Sequence, residues 1–235
     1  MVSVILIWIY MTVTCYITGY LCLTGICRKG NYQIRKESSY LFTGIILMTV
    51  YAEIFSLFGG VSFFANALLL VICLICFLVK KEELAGHFRN IRLTVTPQRV
   101  ILILILFLLF AYGTASGLEH YDTGLYHAQS IRWIEEYGIV PGLGNLHSRL
   151  AYNSAAFSLS ALYSMVFLTG RSFHCCTGYF AFLLAVCCTD ACCREREKKL
   201  LLSDLIRVMA VYYLLNIFDE MISPASDYFM VLTVF

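Results

Sequence analysis

Long apolar runs alternate with short polar passages along this chain, and the runs have the length of membrane-crossing helices. Residues 1 to 27, 54 to 79 and 100 to 118 hold no charged side chain, and each approaches or exceeds the roughly 20 residues that span a bilayer as a helix. Glu53 lies in apolar surroundings; a charge at the bilayer centre costs roughly 2.5 to 3.5 kcal/mol, so it is placed near the outer end of its helix, where it can snorkel. Residues 172 to 192 read as a span, and so do 200 to 218 despite Asp204 and Arg207. The serine-rich segment Y-N-S-A-A-F-S-L-S-A-L-Y-S reads instead as a helix lying along or dipping into the outer interface. The final Y-F-M-V-L-T-V-F opens a further helix too short to cross, so the sequence is expected to be the N-terminal part of a longer protein or a truncated product. The predicted fold is an all-α polytopic membrane protein: about six complete transmembrane helices plus an extracytoplasmic juxtamembrane helical loop. Residues 1–98 form N-terminal transmembrane helices, and 99–235 begin a second membrane domain with its outer loop at 119–150.

Composition agrees with this pattern. With 60% hydrophobic and 14% charged residues and a mean hydropathy of +0.78, the chain has more apolar surface than one water-soluble core could bury. The first run lacks a basic leader and a small-residue cleavage site, so it is read as retained rather than as a removed signal peptide. A net charge of +2 comes with no nucleic-acid signature, and its placement reports orientation. Basic clusters at Arg28, Lys29, Arg35 and Lys36, at Lys80, Lys81, Arg89, Arg92 and Arg99, and at Arg194, Arg196, Lys198 and Lys199 are cytoplasmic by the positive-inside rule. The N-terminus, the Gly59-Gly60 turn and the 119–147 passage then face outward from an inner or plasma membrane. Most of the eleven cysteines sit in apolar runs and read as small hydrophobes, with zinc at Cys187 to Cys193 the alternative.

The passage E-H-Y-D-T-G-L-Y-H-A-Q-S-I-R-W-I-E-E-Y-G-I-V-P-G-L-G-N-L-H, residues 119 to 147, breaks this greasy sequence and holds three of the five histidines. Helical spacing puts Asp122, Tyr126, Gln129 and Trp133 on one face, with Gly138 and Pro141 ending the helix. A carboxylate, a phenol, an amide and an indole suit a carbohydrate, whose hydroxyls take the polar groups while an aromatic face stacks on C–H. Asp122 is the candidate base. The alternatives stay open: Asp122 can cap the helix, and Tyr126 and Trp133 can be interfacial anchors. His120, His127 and His147 can hydrogen-bond or hold a metal with Asp122, although their spacing fits no metal motif. Arg149 can counter a phosphate or anchor at the headgroups. Asp219, Glu220 and Asp227 face the same compartment.

A spanning helix followed by an outer loop that opens on an acidic residue and enters an amphipathic helix resembles the GT-C-type integral membrane glycosyltransferases, among them the protein O-mannosyltransferases and the lipid A aminoarabinose transferases. D-T-G-L-Y-H with W-I-E-E-Y-G-I-V-P-G-L-G-N-L-H-S-R-L-A-Y-N-S, and S-P-A-S-D at 223 to 227, is similar to a bacterial polytopic membrane family of that class. The resemblance implies transfer of a sugar from a polyprenyl-phosphate donor with inversion, in cell-envelope glycan assembly, with membrane lipid as a partner and Asp122 as the catalytic or metal-contacting carboxylate. Tyr126, His127, Gln129, Trp133, His147, Arg149 and Asp227 are the substrate-binding candidates, and a divalent cation is a possible cofactor. Members often carry an acidic pair where this chain has Asp122-Thr123, leaving Glu119 or Asp227 as the second carboxylate. Other classes compete: a transporter or flippase using Glu53 or Asp190, a polysaccharide polymerase or ligase, and a structural membrane subunit.

Overall fold

The computed structural model describes residues 1–30, 34, 37–94, 96–192 and 201–234, with no strand among them. The basic residues Arg35, Lys36, Arg194, Arg196, Lys198 and Lys199, and Cys193, lie outside the described residues, as do the side chains of Arg28, Lys29, Arg92, Asp190 and Cys192.

Four long helices come first: α1 (Val2–Gly30), α2 (Ser38–Ser56), α3 (Phe63–Thr94) and α4 (Pro97–Ser116). Over Val2–Cys27, Ser38–Ser56, Phe63–Ile91 and Pro97–Ser116 they are long and apolar enough to cross a membrane. Pro97 starts α4 after an extended Thr96, because its fixed φ suits the first turn and its missing N–H is not needed there. Gly19 of α1 lies against the Tyr40 carbonyl and Gly44 of α2 against the Cys15 carbonyl, so a Cβ at either would strike the partner's backbone. Such close approach is how small residues bind helices together in lipid, where apolar burial alone offers no advantage. Leu6, Ile46, Leu74 and Leu104 stay exposed on the outer surfaces, while Trp8, Met11 and Leu69 are buried inside. The Trp8 indole donates to the Cys175 carbonyl at 3.0 Å and meets Phe107 edge-on at 5.5 Å.

The later helices are shorter. α5 (Ala128–Tyr137), α6 (Ala155–Leu162) and α7 (Val166–Thr169) precede α8 (Cys176–Cys192), α9 (Leu202–Asn216) and α10 (Ser226–Val234). With 17 and 15 residues, α8 and α9 rise about 25 and 22 Å, short of a hydrocarbon core of about 30 Å. Helix α6 dips inward: Phe157 to Tyr163 are buried, the Tyr163 hydroxyl pairs with that of Thr14 at 2.8 Å, and Asn66 Nδ2 donates to the Leu162 carbonyl at 3.0 Å. Its apolar residues supply the burial, and Ser164 meets its own polar need by donating to the Ala161 carbonyl. The chain reverses at Met165, whose φ of 54° is left-handed, and α7 leads back out. The serine-rich segment is therefore packed into the helical bundle over Phe157 to Ser164.

The polar loop seats on the α2–α3 turn. Val61 N–H donates to the Ile134 carbonyl at 2.8 Å and Ile139 N–H to the Ser56 carbonyl at 2.9 Å. A Cβ at Gly60 or at Gly138 (φ 77°) would collide with the facing backbone. The Gly59-Gly60 turn and the loop thus share one face of the bundle, and Lys80, Lys81 and Arg89 lie toward the opposite end of α3. Glu53 is three residues from the end of α2, on the loop's side. At the opposite end, Tyr16, Glu37 and His87 hydrogen-bond in a triangle of 2.8 to 3.0 Å.

Candidate active site

The site begins where α4 ends. Leu118 N–H donates to the Asp219 carbonyl at 2.6 Å, and His120 N–H donates to Ser223 Oγ at 2.6 Å. The Ser223 carbonyl in turn accepts from Thr177 Oγ at 2.6 Å. Fully buried Ser223 therefore pins the Ser-Pro-Ala-Ser-Asp segment to the start of the loop, and Asp122 N–H closes the turn on His120 Nδ1 at 3.2 Å.

From there the backbone takes one π-helical turn, Thr123–His127, in which Ala128 N–H reaches back five residues to the Thr123 carbonyl. The extra residue rotates everything after it by about 100° relative to an α-helix, so the face expected from α-helical spacing divides. Asp122 and Tyr126 come together through Arg149: Arg149 Nη1 donates to Asp122 Oδ1 at 2.7 Å, and its guanidinium carbon sits 5.2 Å from the Tyr126 ring centre. Gln129 is exposed and Trp133 packs on Tyr137 at 5.2 Å; neither hydrogen-bonds nor stacks with Asp122, Tyr126 or Arg149. The helix buries His127, Ser130, Ile131, Ile134, Glu135 and Gly138 instead, a stripe at helical spacing that contains three polar residues.

Asp122 does not cap the helix, since its side chain accepts no backbone N–H there. Its Oδ1 belongs to Arg149, and among the described residues no hydrogen bond is made to Oδ2. His147 holds Arg149 in place, its Nδ1 accepting the Arg149 N–H at 3.3 Å on a short 3-10 turn. Tyr152 stands 6.2 Å from Tyr126. The Tyr126 phenol is pushed above its usual range by burial and then by the Asp122 charge, with Asp227 adding to the effect. The His127 ring lies 4.2 Å from Tyr126 and 5.4 Å from Phe157 of α6. Burial lowers its pKa, and Asp122 and Asp227 oppose that. Asp227 therefore acts electrostatically on the same two rings as Asp122, whereas Glu119 is exposed.

Behind this cluster lies a buried polar layer that the sequence reading did not single out. Ser172 donates to Glu135 Oε2 at 2.7 Å. The Glu135 side chain is fully buried, which raises its pKa against the pull of Ser164, Ser172 and Arg132. His174 is pushed down to about 4, by burial first and by His127 second. Among the described residues, Thr123 Oγ, His127 Nδ1, Ser130 Oγ and His174 Nδ1 are buried without a hydrogen-bond partner. The buried stripe on α5 could have revealed Glu135, but nothing local marks His174 or Ser223, which join the site only through the tertiary fold.

The fold defines an all-helical protein with four helices able to cross a membrane. Residues 1–235 match the family model described as a domain of unknown function (DUF8201), and the chain belongs to that family. No curated protein and no solved structure matches it.

Proposed function

We propose that this protein is a GT-C-like membrane glycosyltransferase that moves a sugar from a polyprenyl-phosphate donor to an acceptor hydroxyl at the extracytoplasmic face, in cell-envelope glycan assembly. The observation that carries the reading is Asp122 on the first turn beyond a helix long and apolar enough to span, with one carboxylate oxygen held by Arg149 and the other without a hydrogen bond among the described residues. In the proposed step Asp122 Oδ2 takes the acceptor's proton as its oxygen attacks the anomeric carbon. The bond from that carbon to the phosphate oxygen breaks with inversion, and the lipid phosphate leaves with the electron pair. Among the described residues Arg149 hydrogen-bonds Asp122 through Nη1 alone, which leaves its remaining N–H groups to the phosphate. A phosphate leaving group stabilised in this way needs no acid, unlike the alcohol lost in glycoside hydrolysis.

Tyr126 and Tyr152 supply aromatic faces for the sugar, and Asp227 is the candidate second carboxylate. The outward orientation is supported by Lys80, Lys81 and Arg89 toward the far end of α3. A divalent cation is not fitted by these donors: among the described residues no three His, Cys, Asp or Glu side chains converge, and Asp122 is held by a guanidinium. Phosphate neutralisation is accordingly assigned to Arg149. The test is retention of a polyprenyl-phosphate sugar by purified wild type and Arg149→Gln. The reading expects retention to fall at least tenfold in the variant, and equal retention counts against it.

A further inference from the structure

A groove of about 440 Å³ opens on the loop side of the bundle, between α1, α3 and the 165–173 segment, and is lined by Leu6, Tyr10, Asn66, Leu70, Leu168 and Phe173 among others. Its walls are apolar and exposed: Leu6 is 61% exposed, Leu70 52% and Leu168 71%. Of the polar side chains within it, Tyr10, Asn66 and Thr169 are already engaged. Tyr10 donates to Asn66 Oδ1 at 2.9 Å, while Asn66 Nδ2 donates to the carbonyls of Ser62 and Leu162, both at 3.0 Å. A polar ligand would find little here to hydrogen-bond, whereas a hydrocarbon chain meets apolar walls in the solvent that surrounds it.

The rim carries a charge. Arg171 lies between Thr169 and Phe173, both of which line the groove, and its own N–H and carbonyl are tied to the Thr169 hydroxyl at 3.3 and 2.9 Å. Arg132 and Arg149, on the same face, are paired with carboxylates. Arg171 is exposed and, among the described residues, has no carboxylate partner. The groove wall also contains Met165, a non-glycine residue in the left-handed region, a strained conformation that tends to mark ligand sites.

We propose that this groove holds one acyl chain of an anionic glycerophospholipid, with the headgroup phosphate on Arg171. The site is distinct from the Asp122 cluster, whose cation is Arg149 and whose walls are the π-helical turn, α6 and residues 223–227. The proposal does not depend on glycosyl transfer.

The test is native mass spectrometry of the full chain, extracted in mild detergent and exchanged against vesicles of equal phosphatidylglycerol and phosphatidylcholine. One phosphatidylglycerol per chain is expected to survive on the wild type. Leu6→Trp, which fills the groove from an exposed position, should lose it. Arg171→Gln should lower occupancy about fivefold, the worth of one basic side chain near an anionic lipid surface, and erase the preference over phosphatidylcholine. Equal retention by all three proteins overturns the assignment. Displacement of the lipid by added polyprenyl phosphate, with transfer lost in Leu6→Trp, would give the groove to the donor, and a lipid-free dimer abolished by Leu6→Trp would give it to a second copy; either outcome also overturns it.

Discussion

Acid should destabilise this protein through His174 before its ordinary carboxylates titrate. The ring is buried beside His127 with its Nδ1 unpartnered, and its pKa falls from 6.5 to about 4. In the unfolded chain it takes a proton near 6.5, and in the fold only near 4. Between those values the unfolded state binds more protons, so stability is intact above 6.5 and is lost progressively as pH falls through 4. Going from pH 7 to about pH 5 should cost about 2 kcal/mol from this residue alone, or roughly 4–8 °C in Tm for a chain of this size. His127 shifts the same way and adds to the loss, while Glu135, with its raised pKa, favours the fold on acidification and opposes it. The assay is thermal unfolding in detergent followed by tryptophan fluorescence, because Trp8 is hydrogen-bonded to Cys175, the next residue. His174→Gln should remove about 2 kcal/mol of the acid loss while staying folded at pH 7. An identical fall in Tm for wild type and variant would refute the reasoning.

Three other substitutions separate structural from functional roles. Gly44→Leu drives a side chain into the Cys15 carbonyl, an overpacking against backbone that should cost about 3 kcal/mol, the upper end of the usual range, and abolish a monodisperse peak in size-exclusion chromatography. Tyr163→Phe removes the buried hydroxyl paired with Thr14 and should lower stability by about 1–3 kcal/mol, read as a lower Tm. Arg149→Gln breaks an ion pair whose side chains are 44% and 30% exposed; it should change stability by less than about 1 kcal/mol yet reduce sugar transfer roughly 10²- to 10³-fold.

Apolar run length is a direct consequence of bilayer thickness, which is why α1, α3 and α4 were legible from uncharged runs alone and why Glu53 could be placed near a helix end. The loop at 119–147 was legible as a polar helical element ending at Gly138. Its active face was not. The single added residue of the π-helical turn has no local sequence signature, yet it turned Gln129 and Trp133 away from Asp122 and sent His127 and Glu135 inward. Arg149 was foreseeable as a cation near the headgroups, but its bond to Asp122 spans 27 positions and depends on His147 and the short turn that presents it. The burial of α6 inside the bundle rests on partners in α1, α2 and α3, which a reading of 150–170 by composition could not include.

Transfer of radiolabelled sugar from polyprenyl-phosphate donors, in membranes carrying wild type or Asp122→Asn at equal expression, tests the central claim most directly. The account predicts transfer by the wild type and its loss in the variant with the fold intact. Normal transfer by folded Asp122→Asn, or none from any donor by folded wild type, would contradict it.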